Sequence, residues 1–290
     1  MTGAPTVTTT HHGLTAEQYN FLRYTRLENW SAFTRFPVSP SVRADLLAAM
    51  CNAEPDVVRA ALDAMAAEVD RMAKVLLSDT NFRAAVIGLS GAGETIAVVG
   101  DSITADRLGW CELLTATATR IDPASPDRWR NFGVSGDTTA NVLERFDLIA
   151  AAAPTRVLIL LGTNDAREHG RPRSGYRMAT ASETGRNLAA LINLCQADLG
   201  ARVTLLTPPP GMQERIDATF ASAAISWQAS AIDELAQVVR DLDPRGVDIH
   251  HEMTADGPAD LLENDGVHPN VRGQLLIATA VARHLAYAGA

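Results

Sequence analysis

The feature that most constrains the fold is an alternation of short apolar runs and helical segments that begins after Gly93. The runs are TIAVVG (95–100), RWRNFG (128–133), RVLILLG (156–162), RVTLLTP (202–208) and VDIHHEM (247–253). Runs such as VLILL are apolar on both faces, as a strand inside a parallel sheet requires. Helical patterns cover residues 187–199, 222–242 and 270–287. Strand–helix alternation of this kind predicts a parallel sheet covered by helices.

The chain before this alternation has a helical pattern, from about residue 14 to residue 79. It is clearest after Pro55, a residue that suits the first turn of a helix. One apolar stripe then recurs at steps of three and four, through Val58, Leu62, Met65, Val69, Met72 and Leu76. The stripe predicts a helix docked on its neighbours or, alternatively, a homodimer interface. We place the domain boundary at GLSGAGE and expect an N-terminal helical segment (1–92) and a second domain (93–290). The N-terminal segment could be a lid, a dimer interface or a docking site for a partner.

Composition excludes several classes of partner. Of the 290 residues, 47% are hydrophobic and 20% charged, which is enough for a packed core, and the net charge of −9 disfavours nucleic acid as a partner. No apolar run approaches the ~20 residues that cross a bilayer, and the N-terminus lacks the pattern of a secretory signal. The three cysteines are scattered. We therefore expect a cytoplasmic protein with reduced thiols and no membrane association.

Neither a cofactor nor a metal site is predicted. The stretch GLSGAGET (88–95) resembles a phosphate-binding loop, but Glu94 stands where that loop needs a lysine, and a strand-like run follows where a helix should. We interpret it as a flexible connector. The pairs His11-His12 and His250-His251 resemble metal ligands, but adjacent residues of a strand point to opposite faces.

Residues that suit a catalytic site recur where the predicted strands end. Ser102 follows the first run and opens a helical segment, Gly133 ends the second run, and Asn164 follows the third. Asp265 and His268 stand three residues apart ahead of the last helix. Because sites of parallel sheets gather at the carboxyl ends of the strands, we expect these residues to meet there.

The residue types fit nucleophilic catalysis. A serine hydroxyl needs a base to remove its proton, and His268 suits this role because its unperturbed pKa is about 6.5. Asp265 would hold the other imidazole nitrogen and stabilise the imidazolium. The alternative interpretation is that Ser102 only caps a helix.

In this order and spacing, the four blocks around Ser102, Gly133, Asn164 and His268 resemble the SGNH or GDSL family of serine hydrolases, over about residues 95–290. The resemblance implies a flavodoxin-like three-layer α/β/α sandwich whose five-stranded parallel sheet has the order 2-1-3-4-5. It also implies an oxyanion hole formed by the backbone N–H groups of Ser102 and Gly133 and the side-chain amide of Asn164. The helical first third lies outside the resemblance.

The expected reaction is hydrolysis of a small-molecule ester or thioester through an acyl-serine. Acyl transfer to another acceptor would use the same residues, and a binding protein that keeps the fold without turnover is a further alternative. The loop DAREHGRPRSGYRMAT (165–180) is rich in arginine. It is either a solvated loop or a binding site for an anionic substrate through Arg171, Arg173 and Tyr176. Pro209, in TPPPGM, is expected to form a wall of the pocket.

Overall fold

The computed structural model describes residues 11–91, 93–124, 128–170 and 175–288. Helices make up the first third, with a short 3-10 turn at Leu27–Asn29. They are α1 (Ala16–Tyr24), α2 (Ser31–Arg35), α3 (Pro40–Cys51), α4 (Pro55–Leu76) and α5 (Thr80–Gly91).

Strands and helices alternate in the remainder, as predicted. The strands are β1 (Ile96–Gly100), β2 (Trp129–Gly133), β3 (Arg156–Leu160), β4 (Glu168–His169), β5 (Arg202–Leu206) and β6 (Ile225–Ser226). The helices are α6 (Ser102–Ala105), α7 (Trp110–Ile121), α8 (Thr139–Glu144), α9 (Phe146–Ala150), α10 (Ala181–Asn193), α11 (Gln213–Thr219), α12 (Ala229–Leu242), α13 (Ile249–Asp256) and α14 (Val271–Ala288). A π-helical turn at Leu194–Asp198 extends α10, and a 3-10 turn lies at Pro258–Asp260.

The main sheet is parallel and has four strands in the order β2-β1-β3-β5, while β4 and β6 form a separate antiparallel pair. The predicted five-stranded sheet with the order 2-1-3-4-5 is therefore wrong. From the run 247–253, only Val247 bridges to Leu206. Asp248 then caps the N-terminus of α13 by accepting a hydrogen bond from His251 N. The capped helix begins where the strand would have continued, and His250 and His251 lie on that helix.

Helices pack on both faces of the sheet. Successive strand residues point to opposite faces, so Val98 and Leu158 belong to one apolar cluster while Val99 and Ile159 belong to another. The first cluster includes buried residues of α4, α5, α7 and α14, and the second includes residues of α8, α9 and α10. The sheet is thus the middle layer of an α/β fold.

The N-terminal helices share the first of these clusters. The predicted stripe on α4 supplies the buried Val58, Met65, Val69 and Met72, and α4 packs on α3 and α7. Helix α5 packs on α7 and α14. The stripe is therefore a docking face within the chain. Among the described helices, none has the length and apolarity needed to span a bilayer.

The stretch that resembled a phosphate loop has a structural role. Residues 88–91 lie in α5, so the predicted flexible connector is helical up to Gly91. Glu94 is buried and pairs with the guanidinium groups of Arg156 on β3 and Arg202 on β5. A carboxylate at this position ties the start of β1 to its neighbours.

Candidate active site

Ser102 lies just beyond the carboxyl end of β1 and is the first residue of α6. Asp101 caps this short helix, because its Oδ1 accepts a hydrogen bond of 2.9 Å from Ile103 N. The turn requires Gly100, since a Cβ there would clash with the Thr104 side chain and lie 2.8 Å from the Leu160 carbonyl oxygen. The tight packing of α6 against the strand end therefore fixes the backbone that presents the Ser102 hydroxyl.

The loop before α14 holds Asp265 and His268 together. Asp265 Oδ1 accepts hydrogen bonds from the backbone N–H groups of Val267 (2.9 Å) and His268 (3.0 Å). Gly266 has a φ of +74°, and a Cβ there would lie 2.7 Å from the Met212 carbonyl oxygen. The spacing of three residues thus forms one turn, and it brings the carboxylate next to the imidazole in the same loop.

Three side chains form a continuous hydrogen-bonded chain across the strand edge. Ser102 Oγ lies 2.9 Å from His268 Nε2, and His268 Nδ1 lies 2.6 Å from Asp265 Oδ2. Ser102 has only 7% of its surface exposed. This geometry allows the imidazole to accept the serine proton at Nε2 while Nδ1–H is held by the carboxylate.

Burial and charge oppose each other in this chain. Burial works to raise the pKa of Asp265, but its hydrogen bond to His268 and the nearby imidazole outweigh burial and lower that pKa. Burial also disfavours the charged imidazole, but the hydrogen bond and charge of Asp265 outweigh it and raise the pKa of His268. The pair therefore favours the imidazolium that proton transfer from Ser102 would create.

Asp101 is a second acid, directly beside Ser102. It is buried, and its Oδ2 has no hydrogen-bond partner among the described residues. Burial raises its pKa to about 7. Asp165, another acid near the strand ends, is also buried but well bonded. It accepts hydrogen bonds from Thr139 N, Thr139 Oγ1 and Thr184 Oγ1, which makes it a structural tie between α8 and α10.

Gly133 ends β2 directly beside α6. Gly100 of β1 is in register with Gly133, and a Cβ on Gly133 would lie 2.5 Å from Ala105 N. Its N–H, which the family resemblance assigns to an oxyanion hole, donates to Asn131 Oδ1 at 2.8 Å. Asn131 in turn donates to the Thr104 carbonyl. The structure therefore brings Gly133 to the site but engages its N–H with a neighbouring side chain.

Asn164 is buried in the loop after β3, a strand that is in register with β1. Its Nδ2 donates to the Asp137 carbonyl at 3.2 Å, and its Oδ1 accepts from Arg167 Nη1 at 3.2 Å. These two contacts fix which end of the amide is the donor. Since an amide nitrogen carries two N–H groups, one N–H remains beyond the bond to Asp137.

The structure describes only part of the set of residues predicted to bind substrate. Arg171 and Arg173 lie outside the described residues. Tyr176 is 77% exposed, whereas Pro209 is buried in the loop that follows β5. In the part of the chain that the structure describes, no group of three or more His, Cys, Asp or Glu side chains could hold a metal ion.

The structure adds residues of the N-terminal segment that the sequence analysis missed. The ring of Tyr24 lies against the His268 imidazole, with 4.7 Å between centroids. Asn29 Nδ2 donates to the Gly133 carbonyl at 2.8 Å. The apolar stripe on α4 predicts that these helices dock, but no local pattern indicates where, and neither residue belongs to a motif.

Solved structures with this fold support the architecture. An α/β hydrolase enzyme, LAE5, from the metagenome of Lake Arreo in Spain is 23% identical, with a TM-score of 0.52 over 67% of this chain and 95% of that one. The acetylxylan esterase Axe2 from Geobacillus stearothermophilus is 22% identical, with a TM-score of 0.51 over 67% and 94% of the two chains. No curated protein matches the sequence. At these identities the likeness concerns the fold.

The family follows from a separate comparison of the sequence. The model of the GDSL-like lipase/acylhydrolase family matches residues 98–276, which is more than half of the chain. The match includes Ser102, Gly133, Asn164, Asp265 and His268, and it leaves the N-terminal helices outside. The chain therefore belongs to the GDSL-like lipase/acylhydrolase family.

Proposed function

We propose that this protein hydrolyses an acyl ester or thioester of a small molecule through an acyl-Ser102 intermediate. Membership of the acylhydrolase family supports ester hydrolysis in general. The observation that carries the mechanism is the hydrogen-bonded chain from Ser102 Oγ through His268 to Asp265. A serine that only capped α6 would not need an imidazole at 2.9 Å, and Asp101 already provides that cap.

In the first half of the reaction, Ser102 Oγ attacks the acyl carbonyl while its proton passes to His268 Nε2. Asp265 stabilises the imidazolium through Nδ1–H. When the tetrahedral intermediate collapses, the bond to the alcohol or thiol breaks and His268 returns the proton to that leaving group. Water then attacks the acyl-enzyme in the same way, which releases the carboxylic acid and restores the Ser102 hydroxyl.

The negative oxygen of the intermediate needs nearby donors. The Ser102 N–H is the first of α6 and has no acceptor within that helix. We assign it to the oxyanion hole together with the remaining N–H of Asn164. The Gly133 N–H would join them only when Asn131 Oδ1 shares or releases it. One such donor is worth about 3 kcal/mol of transition-state stabilisation.

The substrate class is a separate part of the proposal. Arg171, Arg173 and Tyr176 are proposed to bind an anionic part of the substrate, and the buried Pro209 to support the pocket wall. Replacing Arg171 and Arg173 by alanine should raise KM for an ester that carries a carboxylate and leave KM for a neutral ester unchanged. Equal changes for both esters would contradict an anionic substrate.

The experiment that tests the reaction is labelling with a fluorophosphonate, followed by intact mass measurement and peptide mapping. We expect one adduct, on Ser102, and none in Ser102→Ala. The exposed Ser41 offers a matched control, because Ser41→Ala should label like the wild type. An unlabelled wild-type protein that is folded would contradict the proposal. Product analysis of a p-nitrophenyl ester with and without added alcohols then distinguishes hydrolysis from acyl transfer.

A further inference from the structure

We propose that the N-terminal segment completes the active site: Tyr24 is a positioning residue for His268, and Arg23 ties the loop of the nucleophile to the loop of the base. This inference rests on the proposed serine-hydrolase function and extends it to a part of the chain that the family match does not cover. It assigns the segment a role within the catalytic unit.

The first observation is the contact between Tyr24 and His268. Their ring centroids are 4.7 Å apart with an interplanar angle of 37°. His268 is bonded to Ser102 at one nitrogen and to Asp265 at the other. Neither bond limits tilting of the ring about the line between them, whereas an aromatic ring against its face does. Tyr24 thus controls the remaining freedom of the imidazole.

The second observation is the position of Arg23. Its Nε and Nη2 donate to the two carboxylate oxygens of Asp106, at 2.8 and 2.7 Å, and its Nη1 donates to Glu263 Oε1 at 2.7 Å. Asp106 directly follows α6, the helix that begins with Ser102. Glu263 begins the loop that contains Asp265 and His268. One guanidinium therefore spans the two loops whose separation sets the distance between nucleophile and base.

The chemistry of the Arg23–Asp106 ion pair indicates that it positions the two loops. Arg23 and Asp106 are both buried, and Asp106 also accepts hydrogen bonds from Leu108 N and Gln274 Nε2. Apolar residues of similar volume can stabilise a core as well as a buried ion pair does. A planar, bidentate guanidinium, however, fixes direction as well as contact. The Arg23 guanidinium also lies over the Tyr24 ring, 4.9 Å from its centroid, and so holds that ring in place.

The third observation is a pair of hydrogen bonds from the turn between α1 and α2, which involve neither Arg23 nor Tyr24. Arg26 Nε donates to the Ala105 carbonyl at 2.6 Å, and Asn29 Nδ2 donates to the Gly133 carbonyl at 2.8 Å. Both acceptors are backbone atoms, one at the end of α6 and one at the end of β2. Residues 23–29 therefore contact the nucleophile helix, the Gly133 strand end and the base loop.

The chain offers a matched control for Tyr24. Tyr19 lies on the same helix and also stacks on a histidine, with 4.7 Å between its ring and that of His11, which is not the proposed base. We therefore compare Tyr24→Ala, Tyr24→Phe and Tyr19→Ala by the rate at which Ser102 reacts with a fluorophosphonate, measured as a function of pH. The charged groups that face the imidazole are Asp265, Asp101 and Asp106, and all three variants keep them.

Tyr24→Ala should slow labelling of Ser102 by about tenfold or more, because small displacements of a reacting group are costly. The midpoint of its rate–pH profile should move to higher pH, since water that replaces the ring solvates the imidazolium. Tyr24→Phe should behave like the wild type, because the Tyr24 hydroxyl has no hydrogen bond to the described residues. Tyr19→Ala should leave both rate and midpoint unchanged.

Each other outcome is decisive. A Tyr24→Ala protein that labels like the wild type at every pH overturns the inference, as does a Tyr19→Ala protein that is slowed equally. Equal loss in Tyr24→Phe would assign the role to the hydroxyl and contradict positioning by the ring.

If Tyr24→Ala fails to fold, Glu263→Gln provides the test, since Glu263 is partly exposed. It should slow labelling while the melting temperature stays near that of the wild type, and an unchanged rate overturns the tie. A wild type that does not label contradicts the proposed function itself.

Discussion

The two sides of the candidate site are held in different ways. On the His268 side, buried charged groups from the N-terminal segment bond to Asp106 and to the loop of the base. On the Asn164 side, the amide is held by Arg167 and by the Asp137 carbonyl, and the exposed Tyr176 follows later in the chain. The His268 side is thus held by a distant part of the sequence, whereas Asn164 is held by its own loop and by the segment that follows β2.

This difference shows that closeness in sequence is a poor guide to closeness in the site. Tyr176 stands 12 residues after Asn164 in the chain, yet it is 77% exposed. Tyr24 stands far from every motif, yet it lies against the His268 ring. If the His268 side depends on buried charge and the Asn164 side on local bonding, substitutions on the two sides should differ in kind as well as in size.

The largest effect is expected on the His268 side, from Arg23→Met. It removes one partner of a buried ion pair and leaves Asp106 uncompensated, which costs about 3–5 kcal/mol of unfolding free energy. Chemical denaturation measures this loss. Arg35→Met serves as a control, because Arg35 pairs with Asp147 at the exposed surface and its loss should matter little. Equal small losses in both variants would remove the distinction between the two sides.

Asp101, the cap of α6, allows the effect of burial to be tested by changing the pH. Its pKa is raised by burial from 3.8 to about 7 in the native state. Between these values the native protein retains a proton that the unfolded chain has lost, so stability falls as pH rises through this window. The loss of unfolding free energy attributable to Asp101 is on the order of 4 kcal/mol.

Asp101→Asn should remove that fall, because the amide does not ionise and its oxygen can still accept the bond from Ile103 N. The measurement is the unfolding free energy of both proteins from pH 4 to pH 8, and the difference between them cancels contributions that they share. We expect the two curves to diverge as pH rises, with the variant the more stable at pH 8. Parallel curves would mean that Asp101 is ionised at no cost in the native state.

On the Asn164 side, Asn164→Ala should reduce kcat for a p-nitrophenyl ester by about 100- to 1,000-fold with little change in KM, because it removes a proposed oxyanion donor. Stability should change less than in Arg23→Met. The control is Asn141→Ala, which removes a capping residue of α8 and should lower stability without affecting kcat. A kcat that is unchanged in Asn164→Ala would exclude Asn164 from the oxyanion hole.

The fold and site were predictable to the extent that local rules determine them. Apolar runs located the four strands of the main sheet, and Asp265 and His268 were expected together because one turn joins them. The run 247–253 was misassigned because Asp248 accepts a capping hydrogen bond from His251 N, and this helix cap competes with strand pairing after Val247. Such a choice depends on a single side chain, which the hydrophobic pattern does not register.

The contacts of Tyr24 and Arg23 could not be predicted for a different reason. They join residues that lie roughly 80 to 240 positions apart in the chain, and no periodicity or motif specifies such a pairing. The engagement of Gly133 N–H by Asn131 is local, but a glycine motif alone does not indicate which acceptor its N–H finds. Sequence thus placed the candidate residues at the strand ends, and packing determined what surrounds them.

The smallest effect is expected from Tyr176→Ala on the Asn164 side. A side chain that is 77% exposed buries little apolar surface, so unfolding free energy should change by no more than about 0.5 kcal/mol. The informative measurement is KM for a neutral and for a carboxylate-bearing ester. If only the second KM rises, Tyr176 contributes to substrate binding, while the N-terminal segment positions the proposed catalytic groups. If neither KM changes, Tyr176 is a solvated surface residue and recognition of the substrate lies with the walls formed by the buried loops.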